Sequence, residues 1–412
     1  MNRRTFLGST FAAALASALS AAAAPGRKPR ILLRNAWQSM NIGDVAHWVG
    51  LFELMKRHEI DADVCFWASN LENGADALLA KYFPHVKVLN GSKQIDAAFD
   101  DCDFLLHGSS SGFAAWKHAA QWHDKTGKPF GVFGISITST EPIIFETLGK
   151  AEFAFFRETV SLQTAKEHGC TCPIMEYGPD TAFGVVKTRN DEAATAFLKE
   201  HGLEEGRFLC CIPRYRWTPA WTVYKHREFD AAKHARNEEM KDHDHAPHRE
   251  AIAAIVRETG MKVLVTHEDQ TQIPLGKEML VDPLPDDVKK HVVYRDRFRQ
   301  LDEALAVYVR SAGLFGNEMH SPIMCVANGI PAVVCRFDEQ TNKGFMWRDV
   351  GLDDWLFNLD KPEDVAKIAP TVLEIAENPE AAKTKAAAAR EVVLKRQERM
   401  LGVLEEALGA VG

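Results

Sequence analysis

The feature that most constrains this chain is a repeated switch of hydrophobic period. From Arg30 to about residue 375, short apolar runs alternate with longer helix-length segments. The series opens with RILLRN, DVAHWVGLFELMKRH, ADVCFWA, NGADALLAKYF and VKVLN, and continues through CDFLLHGSSSG, PFGVFGISIT and AEFAFFRETVSLQTAKEHG. Strands joined by crossovers of that length return parallel to one another, whereas antiparallel neighbours need only a tight turn. The alternation breaks at Gly178-Pro179-Asp180 and restarts, after the charged helix NDEAATAFLKEHG, with RFLCCIPRYRW. The expected fold class is therefore α/β, with two Rossmann-like doubly wound domains facing a cleft and a helical C-terminus. The boundaries fall at residues 25–205, 206–375 and 376–412, the last a run of helix broken near Pro379 that is expected to pack back across both halves. Residues 217–250 fit neither period and read as an irregular insertion on the cleft side.

A chain of 412 residues is long enough for two cores of ordinary size. Its net charge of −8 offers no broad basic footprint, which argues against a nucleic-acid partner. No internal apolar run reaches the length of a membrane span. The N-terminus is different: Arg3 and Arg4 precede an alanine-rich apolar stretch and small residues suited to cleavage. Residues 1–24 read as a twin-arginine export signal, which predicts a periplasmic or otherwise exported protein with no stable membrane span once the signal is cleaved. That route carries folded proteins. The eight cysteines, lying singly or adjacent in apolar segments, read as small buried hydrophobes rather than a disulfide framework.

Candidate site residues cluster where strands end and helices begin. In VRSAGLFGNEMHSPIMCVANGIPAVVC, a strand ends near Gly316, Ser321 is a plausible N-cap, Pro322 suits a first helical position and Asn328-Gly329 closes the helix. This places Glu318 and His320 at a carboxyl-end rim beside a helix N-terminus, with Lys343 following. Asn41, Gly43 and Asp44 form a similar turn after the first strand, Asp44 serving as a cap or as an acceptor for a sugar hydroxyl. Arg214 and Arg216 lie just past the first strand of the second half, where an arginine can hold a carboxylate or phosphate. His267 and Glu268 would share the rim with His320. The HDHAPH segment around His243, His245 and His248 reads as a solvated loop, so no metal and no cofactor is assigned.

In order and spacing, NIGDVAHWVGLFELMKRH, DFLLHGSSSGF, GKPFGVFGISI, AFFRETVSLQTAKEHG, YGPDTAFG and MHSPIMCVANGIPAVVCRFDEQTNKGF together resemble the polysaccharide pyruvyl transferase family over roughly residues 30 to 360. The resemblance implies a glycosyltransferase type B-like fold. It also implies a transferase that attaches the enolpyruvyl group of phosphoenolpyruvate, as a ketal, to two hydroxyls of a polysaccharide. On that reading His320 matches the family's histidine, a general acid for the enol carbon or a phosphate contact, and Glu318 shares the catalytic position. Arg214 or Arg216 matches an arginine on the donor's carboxylate or phosphate, with Ser321 and Lys343 beside it. Asn41, Gly43 and Asp44 match the acceptor-side turn, while Arg157 and Ser161 match a motif of structural character. Glu318 stands where the family carries a second donor-binding arginine. A carboxylate there must pair with a cation, activate an acceptor hydroxyl, or signal a different use of the cleft. The last case would be an exported hydrolase using Glu318 and His320 as acid and base, or a glycan binder using Trp116, Trp122, Trp217 and Trp221.

Overall fold

The computed structural model describes residues 27–411, so the expected export signal of residues 1–24 lies outside the described residues. The first domain is a 7-stranded parallel sheet of β1 (Arg30–Asn35), β2 (Asp63–Ala68), β3 (Lys87–Val88), β4 (Phe104–His107), β5 (Phe130–Ile135), β6 (Phe153–Phe156) and β7 (Ile174–Tyr177). The second is a 6-stranded parallel sheet of β8 (Phe208–Ile212), β9 (Lys262–Val265), β10 (Val292–Tyr294), β11 (Gly313–Gly316), β12 (Ala332–Arg336) and β13 (Leu356–Asn358). Helices cover both faces, so the central strands FLLH, FAFF, FLCCI and AVVCR are buried throughout and carry continuous apolar runs rather than alternation. All eight cysteines are buried and free.

The strand orders locate the site. In the first sheet it is β3-β2-β1-β4-β5-β6-β7 and in the second β10-β9-β8-β11-β12-β13. The connections reverse direction between β1 and β4, and again between β8 and β11. At such switch points the loops after neighbouring strands diverge and leave a crevice at the carboxyl ends. The two crevices face each other, held by backbone bonds from Ile42 N–H to Glu268 O (2.9 Å) and from Gln270 N–H to Met40 O (3.2 Å).

The helix Ile42–Arg57 is buried on most of its surface because it lies between the first sheet and the second domain. Trp48 packs on Phe52, Phe66 and Phe83 on one side, and the helix meets His320–Ala327 on another. The C-terminal helix Pro379–Gly409 crosses both halves, as its sequence suggests. It pairs Lys385 with Asp354 in the second domain, and Gln397 and Arg399 with Arg57 and Glu176 in the first. Among the described residues no helix is long and apolar enough to cross a membrane.

One expectation is corrected. Most of the supposed irregular insertion belongs to a helix, Ala231–Thr259, of 29 residues. Its inward face carries Asn237, Asp244, His245 and His248 before Ala251, Ile252 and Ile255. The spacing is helical, but polar residues occupy the buried stripe, which hides the period from a hydrophobicity reading. His245 Nε2 accepts from Arg214 N–H at 3.2 Å and Asn237 bonds the backbone of Trp217, so these side chains brace the loop after β8.

Candidate functional site

A cleft of about 650 Å³ opens between the domains. Its lining includes Asn41, Asp44, His47, Arg157, Arg214, Trp217, His320 and Lys343, drawn from both switch points. A larger cavity of about 1050 Å³ lies at the opposite edge of the first sheet, around Arg30, Asp61 and Lys87. In parallel sheets the strands and helix N-termini direct ligands to the carboxyl ends, so the smaller cleft is the site.

Glu318 is not an unpaired anion. Its Oε2 lies 3.1 Å from Arg214 Nη1 and 3.5 Å from Lys343 Nζ, and its Oε1 accepts from Gln272 Nε2 at 2.6 Å. The carboxylate therefore bridges two cations and an amide. Lys343 is held below its ordinary pKa by burial and by the neighbouring Arg214. Asp269, close by, is pushed up to about 7 by burial. Arg214 Nε, within the same group, is buried without a hydrogen-bond partner.

His320 ends the second half of the cleft floor. Glu268 orients it: Oε2 accepts from the Ser321 N–H at 2.6 Å, and Oε1 lies 3.1 Å from His320 Nδ1. Because a carboxylate only accepts, Nδ1 carries the proton and Nε2 presents its lone pair. That nitrogen is 3.0 Å from Nε2 of His47, on the helix Ile42–Arg57, whose Nε2 is also 3.3 Å from Asp180 Oδ2. Burial, then His47 and Lys343, hold His320 well below the ordinary imidazole pKa, so it is neutral. Burial pushes the Asp180 carboxyl up, but His47, Arg157 and His320 outweigh it and hold the group well below the usual carboxylate range. Arg157 donates to Asp180 Oδ2 at 2.9 Å and to Ser136 at 2.8 Å, leaving Nη2 buried and unpartnered. Asp180 Oδ1 caps the Ala182 N–H at 2.9 Å, and Thr181 ties the turn to the His47 carbonyl at 2.8 Å.

The structure thus gathers Glu318, His320, Arg214 and Lys343, as the sequence suggests, and corrects three assignments. Arg216 is removed from the donor set: it donates to Asp244 twice (2.8 and 2.9 Å), to Glu339 (2.7 Å) and to Asp360 (2.6 Å), and so acts as a buried clamp. Ser321 is buried; the helix begins at His320, Ser321 N–H is held by Glu268, and its hydroxyl accepts from Tyr308 at 3.1 Å. Gly43 is not among the residues that line the cleft, and a Cβ placed there would lie 2.3–2.6 Å from His320 side-chain atoms. It is the residue that lets the imidazole pack against the helix. Asn41 caps the Gly43 N–H at 2.6 Å, and both Asn41 and Asp44 face the cleft. Of the four tryptophans considered for sugar stacking, Trp217 and Trp221 line the cleft, while Trp122 is core. His267 turns away and stacks on Phe298. His245 and His248 are buried beneath β8 and β11 rather than exposed in a loop. His47, Asp180 and Arg157 were not assigned from sequence. His47 sits in an apolar helix, Asp180 in a turn and Arg157 in a motif of structural appearance.

The polysaccharide pyruvyl transferase family model matches residues 41–339, which contain every residue of this floor except Lys343. No curated protein matches the sequence. Among solved structures, a UDP-GlcNAc 2-epimerase from Methanocaldococcus jannaschii has a TM-score of 0.58 at 12% identity, over 91% of this chain and 99% of that one. HepE of Anabaena, in complex with UDP and glucose, has a TM-score of 0.55 at 11% identity, over 92% of this chain and 100% of that one. At such identities the likeness is one of fold, two Rossmann-like domains about a cleft.

Proposed function

The chain belongs to the polysaccharide pyruvyl transferase family, and from that premise we propose that this transferase-type enzyme moves a pyruvyl group from phosphoenolpyruvate to two hydroxyls of a glycan. The observation that carries the proposal is the pairing of Glu318 with Arg214 and Lys343. The wrong-signed residue is matched in charge, and Arg214 Nε and Arg157 Nη2 are buried donors left over on residues that line the same cleft as His320. Arginine forks suit the donor's carboxylate and phosphate.

The reaction balances at this floor. One acceptor hydroxyl adds to C2 of the enol phosphate, losing its own proton as the methylene carbon gains one. The second hydroxyl then adds as the C2–O bond to phosphate breaks, and its proton leaves with phosphate or solvent. The His47–Asp180–His320 cluster is the place where an acceptor hydroxyl loses its proton, with Asp44 and the cleft tryptophans holding the sugar. On the same proposal the twin-arginine segment exports the enzyme, so lysines in place of Arg3 and Arg4 should retain the chain in the cytoplasmic fraction.

A second reading is favoured by the pairing of the floor's charges. Glu318 engages Arg214 and Lys343, Asp180 engages Arg157, and Glu268 faces His320, which suits an exported carbohydrate-active hydrolase or glycan binder that does not use phosphoenolpyruvate. Calorimetric titration of the full chain with phosphoenolpyruvate decides between them. The transferase reading expects saturable binding, weakened about tenfold or more in Arg214→Ala, since hydrogen bonds to charged groups contribute about 1.5–3 kcal/mol. Absence of binding by the folded wild type sinks it.

A further inference from the structure

We propose that His47, Asp180 and His320 form a site for one divalent transition-metal ion at the cleft floor. One donor atom from each, a ring nitrogen of either histidine and an Asp180 carboxylate oxygen, all lie within 4.8 Å of one another. The two measured edges are 3.0 Å between the imidazoles and 3.3 Å from His47 to Asp180. Ligand atoms about 2.1 Å from a shared ion span such edges at angles of about 90–105°, between octahedral and tetrahedral. All three side chains are buried, yet His47 and His320 also line the cleft, so further positions on the ion would face a substrate.

The surroundings are those of a ligand set. Glu268 fixes the His320 tautomer so that Nε2 has a lone pair, the carboxylate–histidine arrangement common behind metal-bound imidazoles. Asp180 is anchored through Oδ1 by the Ala182 N–H, which leaves Oδ2 3.3 Å from His47 Nε2, where it also accepts from Arg157 at 2.9 Å. His47 Nδ1 makes no hydrogen bond and lies 3.8 Å from Asp44, free to hold its proton on that side. In that tautomer both Nε2 lone pairs point at the same gap, an arrangement that is repulsive unless a cation fills it. The alternative is a single proton shared between the two imidazoles.

An ion here would also add positive charge to a floor whose cations Arg157, Arg214 and Lys343 are already paired with Asp180 and Glu318. When bound it would supply positive charge beside an anionic donor and lower the pKa of a hydroxyl brought to it. This consequence rests on the proposed use of phosphoenolpyruvate; the site itself does not. Two histidines and one carboxylate suit zinc, manganese, iron or cobalt over calcium or magnesium.

The test uses the full chain, stripped with chelator and dialysed, then titrated with Zn2+ by calorimetry and with Co2+ by visible absorption. The expected result is one equivalent bound, a rise in thermal midpoint on adding Zn2+, loss of both in His320→Asn and His47→Ala, and affinity about 10–100-fold weaker in Glu268→Gln. His243→Ala should behave as wild type, since that half-exposed histidine lies outside the cluster. Failure of the folded wild type to take up either ion, or uptake unchanged in His320→Asn, overturns the proposal. Because Zn2+ stabilises the wild type, a variant that fails to fold leaves the midpoint shift as a readout. Phosphoenolpyruvate titrated into stripped and Zn2+-loaded wild type separates the two proposals. Donor binding without metal uptake refutes the ion alone, and metal uptake without donor binding refutes the donor alone.

Discussion

Glu318→Gln asks whether the carboxylate is a counter-charge or an obstacle. In the wild type it lies 3.1 Å from Arg214 and 3.5 Å from Lys343, at 2% exposure against 16% and 11% for the cations. With an effective dielectric of about 20, each contact amounts to roughly 5 kcal/mol of Coulomb attraction. Desolvation offsets much of that, and removing one partner of a buried pair typically costs about 3–5 kcal/mol because the other charge remains buried. Here two cations remain, partly relieved by water and by the amide, so a loss of about 3 kcal/mol is expected. The freed cations then face the cleft. Phosphoenolpyruvate should bind at least about tenfold tighter, a gain of about 1.4 kcal/mol. At a hundred times its dissociation constant it should return about 2.7 kcal/mol of stability, nearly all of the deficit. Urea unfolding with and without phosphoenolpyruvate, together with calorimetry, measures both. A variant as stable as wild type with weaker donor binding would show that Glu318 contacts the ligand directly, and the counter-charge argument would be wrong.

Two further substitutions probe corrected roles and a third probes a buried carboxyl, Glu158, beside Arg157. Arg216→Ala should cost about 3–5 kcal/mol of stability by stranding Asp244 and its partners, while the protein that remains folded keeps the wild-type affinity for phosphoenolpyruvate; the opposite pattern would return Arg216 to the donor set. Gly43→Ala should displace the His320 ring, since the new methyl would sit 2.3–2.6 Å from His320 side-chain atoms; the expected readout is lost transfer activity with far-UV dichroism unchanged, and an active variant refutes the packing role. Glu158 is pushed up to about 7 by burial, against an ordinary 4.5. The folded state therefore holds a proton that the unfolded chain releases: the contribution is fully present below about pH 4.5 and is lost as pH rises through 7, a swing of about 3 kcal/mol. Glu158→Gln should accordingly gain on wild type in thermal midpoint between pH 5 and pH 8, and a constant difference would contradict the shift.

The fold was legible because buried parallel strands and crossover helices write themselves as apolar runs and helix-length segments. FAFF and FLCCI could be placed without any tertiary knowledge. Glu318, His320, Arg214 and Lys343 were legible for a related reason, since carboxyl ends of strands near a switch point are where ligands bind. What failed was whatever depends on a partner far away in sequence. His47 looks like one polar residue in the apolar stretch DVAHWVGLFELM, and only the packing of that helix against His320–Ala327 gives it a partner. Asp180 looks like a turn residue because it is one; its second oxygen has a role only once Arg157 and His47 are in place. The helix Ala231–Thr259 was missed through the opposite error, a buried stripe written in asparagine, aspartate and histidine. In each case a polar side chain is buried against a partner far away in sequence, the information that a period cannot carry.

The change at position 318 has a larger effect than the charge of one side chain. An arginine there would add a free cation to the floor; the glutamate both removes it and engages Arg214 and Lys343, two of the three cations that remain. The pocket has thus lost three available positive charges without gaining an exposed negative one. An anionic donor can enter such a site in two ways: by prising Glu318 from Arg214 and Lys343, or by arriving beside a cation that the protein holds elsewhere. The first requires breaking contacts of 3.1 and 3.5 Å plus the 2.6 Å bond from Gln272. The second needs a ready ligand set within the same cleft, and His47, Asp180 and His320 are the only such buried group among the described residues. The two routes make opposite demands on the same titration. If Glu318 is prised away, Glu318→Gln strengthens donor binding in the absence of metal; if an ion takes the arginine's place, stripped protein binds the donor weakly whichever residue stands at 318.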